Sequence, residues 1–183
     1  MTITKQREYF REMLEGDRVV CPISVFDPIS ARMADRLGAK LGILGGSIAS
    51  AAVLAAPDLL VLTLTEFVDQ IRRTTRVSEI SLMVDADHGY GNALNVMRTV
   101  EELEVSGVSA LTIEDTSLPA RFRQKKGDEL IETDEMVGKL RAAVKARKDP
   151  LLTIIGRTNA FTYLSDDEAV ERVQVLACTG VDQ

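Results

Sequence analysis

Aromatic residues are scarce in this chain: three Tyr, five Phe and no Trp among 183 residues. A core cannot be built on large rings and must be assembled from Ala, Val, Ile and Leu, side chains that suit a parallel sheet covered by helices. Cysteine is rarer still. Cys21 and Cys178 lie far apart and form no CxxC pair, which argues against a disulfide framework and fits a reducing cytosol. No run approaches the roughly 18 uncharged apolar residues of a membrane span. The N-terminal stretch MTITKQREYFREML is charged and amphipathic and lacks the apolar core of a signal peptide, so a cytoplasmic location is expected. A basic excess is missing too. The 28 acidic residues outnumber 22 basic ones and leave a net charge of −6, which argues against a nucleic-acid partner.

What the chain does have is a regular alternation of short apolar runs with amphipathic stretches. Residues 2–14 read as a helix with Ile3, Tyr9, Phe10, Met13 and Leu14 on its apolar side. Strands are expected at 19–23 (VVCPI), 41–46 (LGILGG), 81–87 (SLMVDAD), 109–115 (SALTIED) and 151–157 (LLTIIGR). Asp27-Pro28 opens a helix that runs to Leu37 and stops at Gly38. Thr65 is expected to cap a helix with Phe67, Val68 and Ile71 inward. A helix over 92–105 places Val96, Val100 and Leu103 on one face before Gly107 stops it. Thr133 starts a helix bearing Val137, Leu140 and Val144, and Ser165 with Glu168 forms a capping box ahead of a helix lined by Val170, Val173 and Ala177.

Five βα units in succession predict an all-parallel sheet in an α/β fold, as a single domain over residues 1–183. The pattern admits an open doubly wound sheet or part of a (β/α)8 barrel, since a complete barrel needs about 250 residues. The last residues, TGVDQ (179–183), read as a turn into a further strand, so the chain is expected to be truncated at its C-terminus.

The densest chemical signal is VDADHGYGN (84–92), at the end of the third expected strand. Asp85 and Asp87 are two residues apart and share one strand face, where two carboxylates repel unless a cation, a shared proton or water relieves them. Oxygen-rich sites of this kind suit Mg²⁺, and solvated strand-end acids are the alternative. Gly89 and Gly91 allow a tight turn there. The fourth strand ends in Glu114-Asp115 and the fifth in Arg157, positions where chemistry gathers in parallel α/β folds. Gly45-Gly46-Ser47, after the second strand, offers backbone N–H groups and a hydroxyl for a carboxylate. His88, the only histidine, is expected to make surface hydrogen bonds, with a general-base role as the alternative, and Cys21 to lie inert in an apolar strand. Arg121, Arg123, Lys125 and Lys126 read as a solvated loop, with a lid as the alternative.

Taken together, DADHGYGN (85–92), TIEDT (112–116), IIGRTNA (154–160) and the turn at 45–47 resemble the isocitrate lyase/phosphoenolpyruvate mutase superfamily. VFDPISAR, LGILGGSIAS, LAAPDLL and NALNVMRTVEELE are most similar to its oxaloacetate decarboxylase branch. The resemblance spans the chain and implies a (β/α)8 TIM-barrel fold, of which these residues make the first five or so units. It implies Mg²⁺, with Mn²⁺ possible in its place, bound directly by Asp85 and through water by Asp87, Glu114 and Asp58. It further implies that Gly46 and Ser47 hold the carboxylate of a small α-keto acid and that Arg157 is catalytic, neutralising the developing charge. The implied reaction takes oxaloacetate, or a close β-keto acid, to pyruvate and CO₂ through a metal-stabilised enolate, in a homo-oligomer (dimer or tetramer) of the full-length protein. Lyase members carry a cysteine in a KKCGH loop, where this chain reads RQKKGDEL, which disfavours 2-methylisocitrate lyase-like cleavage. A phosphonomutase-like activity is the companion alternative. A catalytically silent fragment, with two open sheet edges, is the third.

Overall fold

The computed structural model describes residues 3–120, 122 and 129–183; Arg121, Arg123, Lys125 and Lys126 therefore lie outside the described residues. In chain order the elements are α1 (Ile3–Glu15), β1 (Ile23–Ser24), α2 (Pro28–Arg36), β2 (Leu41–Leu44), α3 (Gly46–Leu54), α4 (Leu64–Thr75), β3 (Ser81–Asp85), α5 (Ala93–Ser106), β4 (Ala110–Glu114), α6 (Thr133–Ala146), β5 (Thr153–Arg157), α7 (Ala160–Tyr163) and α8 (Asp166–Ala177). All five strands are parallel and lie in the order β1-β2-β3-β4-β5. A doubly wound sheet reverses its strand order partway, whereas a barrel wall runs in sequence. The sheet is thus an unclosed arc of the (β/α)8 type.

The two faces of the arc are chemically different. Leu82, Val84, Leu111, Ile113 and Ile154 point to the helices and form the main core with Phe67, Ile71, Val96, Val100, Leu103, Met136 and Leu140. The alternate residues line the concave face. At its N-terminal end Phe10 of α1 plugs against Leu41 and Ala110, flanked by Met83 and Ile155. Two residues further along the same face come Asp85 and Arg157, and four beyond Ala110 comes Glu114. One face of a short sheet therefore carries an apolar plug at one end and charge at the other.

Local signals set most of the element boundaries. Asp27 caps α2 by accepting from Ser30 N, with Pro28 at the first turn. Asn92 caps α5, and Gly107 ends it in the left-handed conformation at φ 92°. Ser165 and Glu168 form the expected capping box of α8. The cap of α4 is Thr63 rather than Thr65, because Thr63 and Glu66 form the reciprocal pair.

Elsewhere tertiary contacts override the pattern. The apolar run 19–23 predicts a strand, but β1 is Ile23–Ser24, with Val19 95% exposed and Cys21 exposed rather than embedded in a strand. The strand expected over 41–46 stops at Leu44. The uniformly small, apolar segment after it, which has no periodicity to read, winds into α3. In α1 the most buried side chains are Gln6, Arg7 and Phe10, since Arg7 reaches the carbonyls of Val108 and Glu104 beneath the sheet. In α8 the buried face is Ala169, Arg172 and Leu176, leaving Val170 and Val173 exposed. Among the described residues no helix is long and apolar enough to cross a membrane.

Candidate active site

A pocket of about 370 Å³ opens at the C-terminal ends of the strands. Gly46, Ser47, Asp58, Asp85, Asp87, Glu114 and Arg157, seven residues drawn from five loops and element ends, all line it. Gly45, Thr116 and Asn159 complete the wall. A larger hollow of about 690 Å³ lies among Arg32, Arg72 and Arg76, at the opposite end, where helices α4 and α5 finish. Arg72, in the last turn of α4, and Arg76, its C-cap, complement that helix's C-terminal dipole, so their charge there needs no ligand to explain it.

Register fixes the depth of each pocket group. Asp85 pairs with Thr112 across β3–β4, and Glu114 pairs with Arg157 across β4–β5. Asp85 therefore sits two residues deeper than Glu114, rather than level with it. Its Oδ1 accepts from Thr112 Oγ1 and from Asp87 N, both at 3.1 Å. Arg157 spans the two acids: Nη2 is 2.7 Å from Glu114 Oε2 and Nη1 is 3.3 Å from Asp85 Oδ2. The same Glu114 oxygen accepts from Asn159 Nδ2 at 3.1 Å. Arg157 Nε is buried and has no partner among the described residues.

Asp87 reaches the pocket differently from the strand alternation expected. The strand ends at Asp85, and Asp87 turns the chain at φ 48°, a left-handed conformation that Asp tolerates better than most residues. Gly89 and Gly91, at φ 76° and 144°, continue the turn. The Asp87 carboxylate then lies over Gly46, so closely that a Cβ there would fall 2.8 Å from Oδ1. Gly46 begins α3, whose N-cap Gly45 has no side chain to bond the first-turn amides. Those N–H groups and the positive helix end face an acidic pocket.

Burial reshapes the neighbouring titratable groups. His88, expected at the surface, is half-buried, with Nδ1 lacking a partner among the described residues. Desolvation, reinforced by the nearby Lys139 charge, lowers its pKa from 6.5 to about 4. The folded value lies below the unfolded one, so the unfolded chain protonates first. The stability tied to neutral His88 is complete above pH 6.5 and drains away as pH falls toward about 4. Melting temperature against pH is expected to fall more steeply across that window for the parent than for His88→Gln; parallel curves would contradict the burial argument. Tyr90 is pushed upward by desolvation and then by Asp87, Asp85 and Asp58, and it remains a neutral phenol.

Four carboxylates against one guanidinium leave the pocket negative. An acidic set of hard oxygen donors fits a small divalent cation. Among the described residues no three His, Cys, Asp or Glu side chains converge into a direct cage. Asn159, Thr116 and Thr112 were not singled out by sequence reasoning. The only signal for Asn159 was its place two residues beyond Arg157.

The chain is 50% identical over 182 residues to an oxaloacetate decarboxylase of Rhodopseudomonas palustris, covering 100% of this chain and 63% of that protein. It is 57% identical over 176 residues to one of Chromohalobacter salexigens, covering 96% and 61%. The chain thus spans a little over three-fifths of the curated relatives it matches. Among solved structures, a phosphonopyruvate hydrolase complexed with oxalate and Mg²⁺ matches with a TM-score of 0.84 and 32% identity, over 100% of this chain and 62% of that one. Oxaloacetate acetylhydrolase with 3,3-difluorooxalacetate matches at 0.88 and 30%, over 98% and 62%. A 2,3-dimethylmalate lyase of the PEP mutase/isocitrate lyase superfamily matches at 0.87 and 30%, over 100% and 61%. The phosphoenolpyruvate phosphomutase family model matches residues 10–183, and the chain belongs to that family.

Proposed function

We propose that this protein decarboxylates oxaloacetate, or a close β-keto acid, to pyruvate and CO₂, with Mg²⁺ or Mn²⁺ at the acidic strand ends. The supporting observation is one pocket that joins the uncapped N-terminus of α3 to four carboxylates and a bridging arginine. The names of the relatives, at 50% and 57% identity, support oxaloacetate as the substrate class. A dianionic keto acid would be repelled by the pocket's own acids, so the reading requires a cation there. Asp85 would hold that ion directly, and Asp58, Asp87 and Glu114 would hold its waters. When bound, it supplies Lewis-acid stabilisation of negative charge on the substrate oxygens.

The chain's own groups supply the rest. Backbone N–H groups at Gly46 and Ser47 orient the substrate carboxylate at the helix N-terminus. The C3–C4 bond breaks, CO₂ leaves, and the electron pair moves into C2–C3 with negative charge gathering on the keto oxygen. Arg157 is placed by Glu114 and Asp85 to meet that charge as it grows. A proton delivered to C3 completes pyruvate. We infer a cytoplasmic location, a reading supported by the two free, widely separated cysteines. The exposed Ile29, Met33 and Leu37 along α2 support a homo-oligomer, to be checked by sedimentation.

The test is pyruvate formation from oxaloacetate with Mg²⁺ and with chelator, with metal but no protein as the blank. Metal-dependent turnover well above that blank is expected. Turnover of 2-methylisocitrate or a phosphonate, with none of oxaloacetate, would overturn the assignment. Gly46→Ala is expected to reduce kcat about 10- to 100-fold, because the new Cβ displaces the Asp87 carboxylate by a fraction of an ångström. Steady-state kinetics beside a thermal melt checks this; a variant with parental kcat would show that Asp87 need not lie over Gly46.

A further inference from the structure

The end of β4 carries two adjacent acids that face different neighbours. Glu114 lines the pocket, whereas Asp115 is fully buried and does not. Two cations are buried nearby: Arg172 of α8 at 8% exposure, and Lys139 of α6 at 2%. Interring this much charge is weak as a source of stability, because apolar packing of the same volume does as well or better. Such a cluster is better explained by the arrangement it specifies.

The hydrogen bonds show that arrangement. Arg172 Nε donates to Asp115 Oδ2 at 2.7 Å, and the same oxygen accepts from Thr158 Oγ1. Asp115 Oδ1 accepts from the backbone N–H of Asn159 at 3.2 Å. Arg172 also donates through Nη1 to Thr133 Oγ1 at 2.9 Å and through Nη2 to the Ile131 carbonyl at 2.7 Å. Its guanidinium is thus held on all three nitrogens. Asn159, fixed by its main chain, sends Nδ2 to Glu114 Oε2 at 3.1 Å and to Thr116 Oγ1 at 2.8 Å. Arg157 Nη2 meets that same Glu114 oxygen.

We propose that Arg172, which lines no part of the pocket, is a positioning residue: through Asp115 it locks the turn at 158–159 so that Asn159 and Arg157 together set the orientation of the Glu114 carboxylate. The inference rests on the reading of Glu114 and Arg157 as active-site groups. A purely structural Arg172 would affect melting and leave the pocket chemistry alone. A positioning Arg172 acts through Asn159, and its effect disappears when Asn159 is removed.

Arg172→Lys keeps the charge but cannot hold all three partners. It is expected to lower kcat about tenfold with KM for oxaloacetate within about twofold. Asn159→Ala is expected to lower kcat at least as much, and the double variant no further than Asn159→Ala alone. Multiplying effects, or a lowered melting temperature with kcat unchanged, overturn the proposal. If Arg172→Lys does not fold, Thr158→Val removes one donor from Asp115 and asks the same question, with a smaller expected drop of about threefold. A readout independent of turnover separates this inference from the decarboxylase assignment. In protein labelled at asparagine nitrogen, the Asn159 side-chain amide protons should exchange faster in the Arg172 or Thr158 variant than in the parent. Unchanged exchange overturns the proposal. Faster exchange in a protein that does not turn over oxaloacetate supports the positioning role while removing the assigned reaction.

Discussion

Arg157→Lys is expected to lower kcat by about 10²- to 10³-fold, the range for losing a preorganised donor at a developing oxyanion. The guanidinium is planar and sends separate nitrogens to Glu114, at 2.7 Å, and to Asp85, at 3.3 Å. An ammonium is a point charge on a flexible stem and cannot reproduce that fork. It would settle on Glu114, the nearer acid, and draw away from Asp85. Ground-state binding suffers less, because a positive charge still faces the incoming dianion, so the loss should fall on kcat more than on KM. The side chain is 41% exposed, so the ion pairs themselves contribute little to folding, and the melting temperature should move by only a few degrees. Steady-state kinetics and a thermal melt on the same preparation decide the matter. A raised KM with parental kcat would assign Arg157 to substrate capture alone.

Much of this site is legible in the residues alone, for a reason visible in the fold. In a parallel α/β arc every strand delivers its last residues to one rim, so acids at 85, 87 and 114 and a base at 157 must meet there once the strands are identified. What sequence could not give was depth and direction. Asp87 arrives through a left-handed turn, not through strand alternation, and pairing register places Asp85 below Glu114. The helix α3 leaves no signal in its residues because GSIASAAVL has no amphipathic period, and the helix dipole behind Gly46 and Ser47 is equally silent in the sequence. Arg172 illustrates the same limit. Helical spacing points to Val170 and Val173 as the buried face, but a buried carboxylate 57 residues away turns the helix so that the arginine goes inside. Long-range charge pairing leaves no periodic trace in a single sequence.

Asp85→Asn carries the sharpest consequence of the electrostatic argument, since it should separate activity from stability. The amide is isosteric, and its oxygen can still accept from Asp87 N and Thr112 Oγ1. What vanishes is one negative charge among the four carboxylates of the pocket. Without a cation those charges oppose one another, and the ion pair that the substitution removes is the longer of the two Arg157 makes. In chelator the variant should therefore melt at or slightly above the parent, as functional sites often sit at a cost to stability. In Mg²⁺ the order reverses. Saturating the parent at about 100 times Kd adds about 2.7 kcal/mol to the folded state, and the variant, lacking the proposed direct ligand, gains little of it. Turnover should drop at least about 10³-fold, corresponding to the several kcal/mol that Lewis-acid stabilisation contributes. The measurement is a melt with and without Mg²⁺ for both proteins, paired with initial rates. An equal Mg²⁺-induced rise in the two would mean that the ion binds elsewhere, and the acidic strand ends would need another explanation.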